Sequence, residues 1–298
     1  MKYRKFAAID IGSNAVRLLI SNILEHKNGA VEIKKNSMVR VPIRLGEDVF
    51  TKGMISIRKA GHLIDAMQAF KILMRIHKVE NYKAVATSAV RSAENGKELV
   101  ERVLEKIDIN IEVIDGTKEA EIIFLTNIKK YIKEDKSYLY IDVGGGSTEF
   151  TIFSKGKVMK RKSFPVGTVR FINGKVKEEY FKGEVKDWVK ENTKTLENVT
   201  AIGSGGNINK IYKMAEVKEG TPLTYDYLKK QYDFLKGLTY DQRMDDLGLN
   251  PDRADVIVPA IRIYLSAMKW SRSQKIYVPK IGLADGTIRY ICKEKGII

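Results

Sequence analysis

Apolar and polar residues alternate in short runs at the start of the chain, with the period of two that marks half-buried strands. The pattern predicts strands over 6–11, 17–24, 31–37 and 38–43, followed by a loop over 44–48. Between 55 and 77 the period changes. Ala60, Leu63, Ile64, Met67, Phe70 and Met74 recur at helical spacing. A strand over 82–87, a helix through 98–106 and a strand over 111–114 come next. A second helix follows, its apolar stripe made by Ala120, Ile123, Phe124, Ile128 and Tyr131. The later half reads as strands over 139–143, 150–153 and 158–162, a polar helix over 179–196 and a strand over 199–202. Helices over 223–235 and 256–270, a strand over 275–278 and a last helix to about Lys295 complete the chain. Strands and helices alternate throughout, so the fold class is mixed α/β.

Composition narrows the class. The 298 residues are 44% hydrophobic and 30% charged, as in a soluble globular protein of two ordinary domains. A single cysteine, Cys292, excludes an internal disulfide and fits a reducing compartment. Charged residues stand at the very start, and no apolar run reaches membrane-spanning length. A cytoplasmic protein without membrane contact is expected. Three histidines, none paired at ligand spacing, make a zinc site improbable. The formal net charge of +16 calls for anionic company. Lysines are scattered without interleaved aromatics or a nucleic-acid fold signature, so the charge favours an anionic substrate over nucleic acid. A lysine-rich solvated surface accounts for part of it.

Candidate chemistry centres on Asp142-Val-Gly-Gly-Gly-Ser-Thr-Glu149, three glycines between two β-prone runs. Such a turn leaves the backbone N–H groups of Gly144, Gly145, Gly146, Ser147 and Thr148 open to an anion. Asp142 and Glu149 flank it, and carboxylates beside a phosphate cradle repel the anion unless a hard cation such as Mg²⁺ intervenes. An ordinary glycine hairpin with exposed acids is the bland alternative. The pattern occurs twice. In Asp10-Ile-Gly-Ser-Asn14, Asp10 falls on Asp142 and Gly12 on Gly144, while Ile20 falls on Ile152. The repeat predicts a duplicated fold whose hairpin turns face each other across a cleft.

Three further stretches join these. Thr87-Ser-Ala-Val-Arg91 leaves the end of a strand, where open α/β sheets bind ligands; the alternative is a helix cap with a surface arginine. Glu119 lies in the first turn of a helix opened by Asp115-Gly116. It can act as the base that deprotonates a water, or simply complement the helix dipole, and its chemistry leaves both open. Gly203-Ser204-Gly205-Gly206 is a third strand-to-helix turn with donors for a phosphate or a nucleoside.

Taken in order, Asp10-Ile-Gly-Ser-Asn14, Ala86-Thr-Ser-Ala-Val-Arg91, Gly116-x-x-Glu119-Ala120, Asp142-x-Gly-Gly-Gly-Ser-Thr-Glu149, Gly203-Ser-Gly-Gly206 and Pro251-Asp-Arg-Ala-Asp255 resemble the exopolyphosphatase and guanosine pentaphosphate phosphatase family. The resemblance spans essentially the whole chain. It implies two RNase H-like (actin-like ATPase) domains of mixed β-sheet with flanking helices and a ligand cleft between them. The domains would cover 1–125, with 283–298 packed back on it, and 126–282. By resemblance Glu119 matches the catalytic glutamate that activates water. Asp142 and Glu149 match acids that hold Mg²⁺ or another divalent cation. Asp10, Gly12, Ser13, Asn14, Arg91, Gly144–Thr148 and Gly203, Ser204 and Gly205 would meet the phosphate chain. The implied reaction releases orthophosphate from polyphosphate or guanosine pentaphosphate. A homodimer is compatible with the resemblance.

Two features depart from the family pattern. Family members often carry an acid before the catalytic glutamate and a base after the following alanine, where this chain has Lys118 and Glu121. Longer members add a C-terminal helical part, and its absence here puts processive action on long polyphosphate in doubt. Two rival readings share the motifs. One is a phosphotransferase of the same superfamily. The other is a non-catalytic sensor of guanosine tetra- or pentaphosphate.

Overall fold

The computed structural model describes residues 2–126, 131–133 and 135–298. Ile128, expected on a helical stripe, lies outside them. The chain divides into two compact units, Met1–Thr126 with Gly282–Ile298, and Asn127–Ile281. Thr126 and Gly282, placed in the second half by the sequence, fall in the first unit. Thr126 closes the preceding helix by donating to the Ile123 carbonyl from both its amide and its hydroxyl. The Gly282 carbonyl accepts from Gly286 and so begins the last helix.

The first unit is built on strands β1 (Lys2–Ile11), β2 (Val16–Glu25), β3 (Val31–Val41), β4 (Asn81–Ala86) and β5 (Ile111–Val113). Their order is β3-β2-β1-β4-β5. β1, β2 and β3 form an antiparallel meander, while β4 and β5 join β1 in parallel. From Phe6 to Ile11 every residue of β1 is buried, as expected of a central strand covered on both faces. Phe6 and Ala8 meet Ala284, Ile288, Ile291 and Cys292 of the helix Leu283–Glu294. Alternation along the strand turns Ala7 and Ile9 to the other face.

Two expectations are corrected here. The strands expected over 31–37 and 38–43 are one strand, β3. The run Lys34-Lys35-Asn36-Ser37 looked like a break, but an edge strand leaves such residues in water. The expected loop over 44–48 is mostly the helix Leu45–Lys52. Its entry residue Arg44 takes a left-handed conformation, φ 58°, and provides no side-chain cap, so the usual start signal is missing.

The second unit carries β6 (Ser137–Val143), β7 (Thr148–Ser154), β8 (Lys157–Phe164), β9 (Thr200–Ser204), β10 (Leu223–Thr224) and β11 (Lys275–Tyr277). The order β10-β11-β9-β6-β7-β8 repeats the first unit's topology with β10 added at one edge. β6, β7 and β8 are antiparallel, and β9 and β11 extend the sheet in parallel with β6. The buried helix Ile257–Trp270 hides Ile261, Tyr264, Leu265 and Met268 in the core.

Residues 223 and 224, expected at the start of a helix, pair with β11 as β10, and the helix runs over Tyr225–Gly237. The helix expected over 179–196 ends at Thr193 and contains a wide π turn, Phe181–Val185. Its buried residues Phe181, Val185, Val189 and Thr193 are spaced by four. At 3.6 residues per turn that stripe would spiral away from the core. The wider turn corrects the drift and keeps the stripe on one face.

Candidate functional site

Each unit gathers its candidate residues at the carboxyl end of its parallel strands, where α/β sheets place ligands. In the first unit the register pairs Ile11 with Ala86 and Ala86 with Val113, so β1, β4 and β5 end level. The turn 12–15, the stretch 87–91 and the stretch 114–119 all leave from that edge. Thr87 donates to the Ile11 carbonyl and Ile114 to the Ala86 carbonyl, continuing the ladder into the loops.

These loops are tied together. The hydroxyls of Ser13 and Ser88 are buried and 2.9 Å apart. Gly46 donates to the Ser13 carbonyl at 2.8 Å and Arg44 to the Asn14 carbonyl at 3.1 Å. Arg91 Nη1 donates to the Ile114 carbonyl at 2.6 Å, which anchors the arginine beside the start of the Glu119 helix. That helix, Gly116–Phe124, is capped by the Asp115 carboxylate, which accepts from the Lys118 amide at 2.7 Å. Glu119 stands half-buried in its first turn.

Lys118, the departure from the family pattern beside Glu119, is engaged with the last helix. Its ammonium lies 4.6 Å from the Tyr290 ring centre and donates to the Tyr290 hydroxyl at 3.3 Å.

A cluster that the sequence did not flag braces the turn. The buried Lys59 ammonium donates to the Arg44 carbonyl at 2.7 Å and to Glu47 at 2.9 Å, and pairs with Asp48 at 3.0 Å. The hydrogen bond from Lys59 holds the Glu47 carboxyl below its ordinary range. Burial pushes Asp48 up, but the bonds from Ser56 and Lys59 outweigh it and its carboxyl titrates low. Arg44 sits between Asn14 and this cluster.

In the second unit β6 and β9 also end together, with Asp142 level with Ser204, while β11 stops two residues short, its Tyr277 level with Ile202. Thr168 donates to the Gly144 carbonyl at 3.0 Å, Val169 to the Gly145 carbonyl at 2.8 Å and Arg170 Nε to the Gly146 carbonyl at 2.8 Å. A trans peptide points its N–H opposite its C=O. The amides of Gly145, Gly146 and Ser147 therefore face away from the segment that holds those carbonyls. Three successive donors turned one way are the arrangement that an anion nest requires.

The two hairpins differ in charge. Across the first sheet the row reads Val85, Asp10, Arg17, Arg40. Asp10 is buried and takes a hydrogen bond from Arg17 at 2.8 Å. Across the second sheet the equivalent row reads Ser204, Asp142, Glu149, Ser163. Two carboxylates face each other where the first unit pairs acid with base. Like charges directly opposite in a sheet are destabilising. Glu149 is buried and accepts from the Ser163 hydroxyl at 2.8 Å.

Gly205 closes the other side of Asp142. At φ 121° it caps the helix Gly206–Met214, and a Cβ there would meet the Val143 carbonyl at 3.0 Å and Asp142 Oδ1 at 3.6 Å. Burial, and after it the charge of Asp142, pushes the Tyr140 and Tyr264 hydroxyls well above their ordinary range, so both stay neutral. Tyr264 donates to the Ser204 carbonyl.

Four predicted donors are committed within the fold. The Gly144 amide, expected to stand open to an anion, donates to the Ser147 carbonyl at 2.9 Å, and the Gly12 amide donates to the Ala15 carbonyl at 3.1 Å. Ser204 Oγ donates to the Ile281 carbonyl at 3.2 Å, and the Thr148 hydroxyl donates to the Val166 carbonyl. Ser163, Tyr140, Tyr264 and Lys59 were missed by the sequence reading. Only the strand register and the tertiary packing bring them to the site.

The donor set suits a hard divalent cation. Among the described residues no three His, Cys, Asp or Glu side chains converge. The pair Asp142 and Glu149 supplies only oxygens, which fits an ion that keeps several waters and takes substrate oxygens for the rest.

Residues 23–294 match the model of the Ppx/GppA phosphatase family. A bifunctional 3-dehydroquinate synthase/phosphatase of Fusobacterium nucleatum is 32% identical over 85% of this chain; the alignment spans 41% of that longer protein. A putative exopolyphosphatase of Haemophilus influenzae is 25% identical over 96% of the chain and 89% of its own length. The crystal structure of an exopolyphosphatase from Cytophaga hutchinsonii matches with a TM-score of 0.87 and 26% identity, covering 98% of both chains.

Proposed function

The chain belongs to the Ppx/GppA phosphatase family and is a phosphohydrolase, and we propose that it releases terminal orthophosphate from inorganic polyphosphate or guanosine pentaphosphate in the cytoplasm. The observation that carries this reading is the acid pair Asp142 and Glu149 beside the amide nest of the 144–147 turn. A bare anion is repelled by those acids, whereas an anion that arrives with a divalent cation satisfies both.

In this reading the two carboxylates hold Mg²⁺ or a similar ion, and Ser163 fixes Glu149 by its hydrogen bond. When bound, the ion neutralises charge on the phosphate oxygens and so eases departure of the leaving group. The Gly145, Gly146 and Ser147 amides bind nonbridging oxygens, and the Gly205 turn offers further backbone donors. Arg91, held by the Ile114 carbonyl, contacts the phosphate chain with the nitrogens that bond leaves over. Asp10 with Gly12, Ser13 and Asn14 forms the other phosphate turn. There Asp10 faces the cation of Arg17, where the second unit sets Glu149 opposite Asp142. Glu119 takes a proton from the attacking water, and the water oxygen bonds to the terminal phosphorus as the bridging oxygen leaves with its electron pair. The products are orthophosphate and a chain shorter by one phosphate.

The test is orthophosphate release from polyphosphate, guanosine pentaphosphate and ATP in parallel, with Mg²⁺ and with EDTA. Release from either of the first two, abolished by EDTA and restored by Mg²⁺, supports the reading and chooses the substrate. Turnover of ATP alone with an added acceptor makes the protein a phosphotransferase. Tight guanosine tetraphosphate binding with no release from any substrate makes it a sensor.

A further inference from the structure

The second unit carries a basic pocket of about 440 Å³ that shares no residue with the turns described above. Lys182, Lys186, Lys190, Arg262 and Lys269 line it, and no carboxylate does. Its apolar wall comes from Phe181 and Trp270, whose ring centres are 5.0 Å apart. The Arg262 guanidinium lies over the rings of Phe171 and Phe181, 5.0 and 5.5 Å from their centres.

The arrangement follows from the helix that supplies it. Lys182, Lys186 and Lys190 are each one residue beyond the buried stripe Phe181, Val185 and Val189. The π turn that holds the apolar stripe on the core therefore holds the lysines on one edge as well. Successive lysines are separated by ~6 Å along the axis, since an α-helix rises about 1.5 Å per residue. A line of positive charge results, flanked by Arg262 and Lys269 of the neighbouring helix.

Local acids cancel only part of this line. Glu178 pairs with Arg262, and with Lys182 at 3.2 Å. The side chains of Lys186, Lys190 and Lys269 make no ion pair or hydrogen bond among the described residues. Like charges held together cost energy that a polyanion recovers. A compact anion reaches one or two of the lysines, whereas a chain of phosphates can run along all of them. Single-stranded nucleic acid fits less well, because its bases stack on exposed aromatic faces. Phe181 is buried here and Trp270 half-buried.

We propose that this pocket is a second anion site that docks a linear oligophosphate chain. The identity of the chain rests on the phosphohydrolase reading above; the site itself rests on the convergence of cations. A docked chain raises the local concentration of substrate without joining the reaction.

The test is calorimetric binding of linear polyphosphate of defined length to the full chain in EDTA, at several salt concentrations. Wild type is compared with the triple variant Lys186→Ala, Lys190→Ala, Lys269→Ala. Removing three solvent-accessible contacts is expected to weaken binding by about tenfold or more and to flatten its salt dependence. Release of orthophosphate from tripolyphosphate keeps its kcat in the variant, since none of the three lysines belongs to the turns described above. Unchanged polyphosphate affinity, or no polyphosphate binding by the wild type, overturns the proposal. Loss of guanosine pentaphosphate affinity with polyphosphate unaffected overturns the choice of ligand. Lysine-dependent binding without any hydrolysis would leave the docking site standing and refute the hydrolytic reading instead.

Discussion

Replacing Gly167 by alanine sets a methyl carbon 2.3 Å from the Gly145 carbonyl oxygen, 2.4 Å from the Gly145 carbonyl carbon and 2.5 Å from that of Gly146. All three atoms are backbone, so no side chain can swing aside. Ordinary contact begins at 3.4 Å, and relief therefore requires a movement of about 1 Å. The same turn carries the carbonyls that receive Thr168, Val169 and Arg170, so the displacement is transmitted to the amides of the anion nest. Overpacking of this kind costs about 1–3 kcal/mol of stability. Misplacing a binding group by about 1 Å costs on the order of a hundredfold in rate. Gly167→Ala is accordingly expected to lower kcat for orthophosphate release about a hundredfold and to lower Tm by several degrees. Gly183→Ala is the control, because nothing lies within 4 Å of its added carbon. It should leave both quantities close to wild type or raise Tm slightly. Wild-type kcat and Tm in Gly167→Ala would refute the argument that this contact positions the turn.

Other consequences can be measured on stability and reactivity. Lys59→Met removes the cation from the buried Asp48 and should cost about 3 kcal/mol in chemical denaturation near neutral pH. In the wild type the lowered Glu47 and Asp48 carboxyls contribute stability above their unfolded values of 4.5 and 3.8, and this is lost as pH falls through the lower folded values. Without its cation Asp48 titrates higher, so the gap between variant and wild type should shrink on acidification from pH 7 to 3. A gap that widens contradicts the sign. Lys118→Ala should cost at most about 1 kcal/mol and change kcat less than twofold, since its ammonium is engaged with Tyr290. A tenfold fall would show that Lys118 acts on Glu119 after all. The Cys292 thiol is fully buried and pushed up to about 11 by that burial, so iodoacetamide at pH 8 should label the protein only after denaturation.

The sequence was most readable where local chemistry and fold agree. β1, β6 and β7 announce themselves as apolar runs because they are covered on both faces, and the two Asp-x-Gly hairpins announce the duplication. The family resemblance was legible for the same reason, since its motifs are the turns at the carboxyl ends of these strands. β3 was split because its polar run lies at a sheet edge, where tertiary position decides more than pattern. The helix Leu45–Lys52 was missed because its entry depends on the backbone of Arg44 and on Lys59, not on a capping side chain. At the site, Asp142 and Glu149 could be picked out individually. The contrast between the acid pair there and the Asp10–Arg17 pair in the first unit required the strand register. Tyr140, Tyr264 and Ser163 carry no local signal, and neither does the role of the π turn in aligning the lysines.

Glu119 offers the most direct test of hydrolysis as the central claim. The Glu119→Gln variant keeps size and hydrogen-bonding capacity but removes the base. Steady-state orthophosphate release should show kcat lowered by a factor on the order of 10² to 10⁴, with KM within a few-fold of wild type. A variant with wild-type kcat would contradict the assignment of the water-activating group.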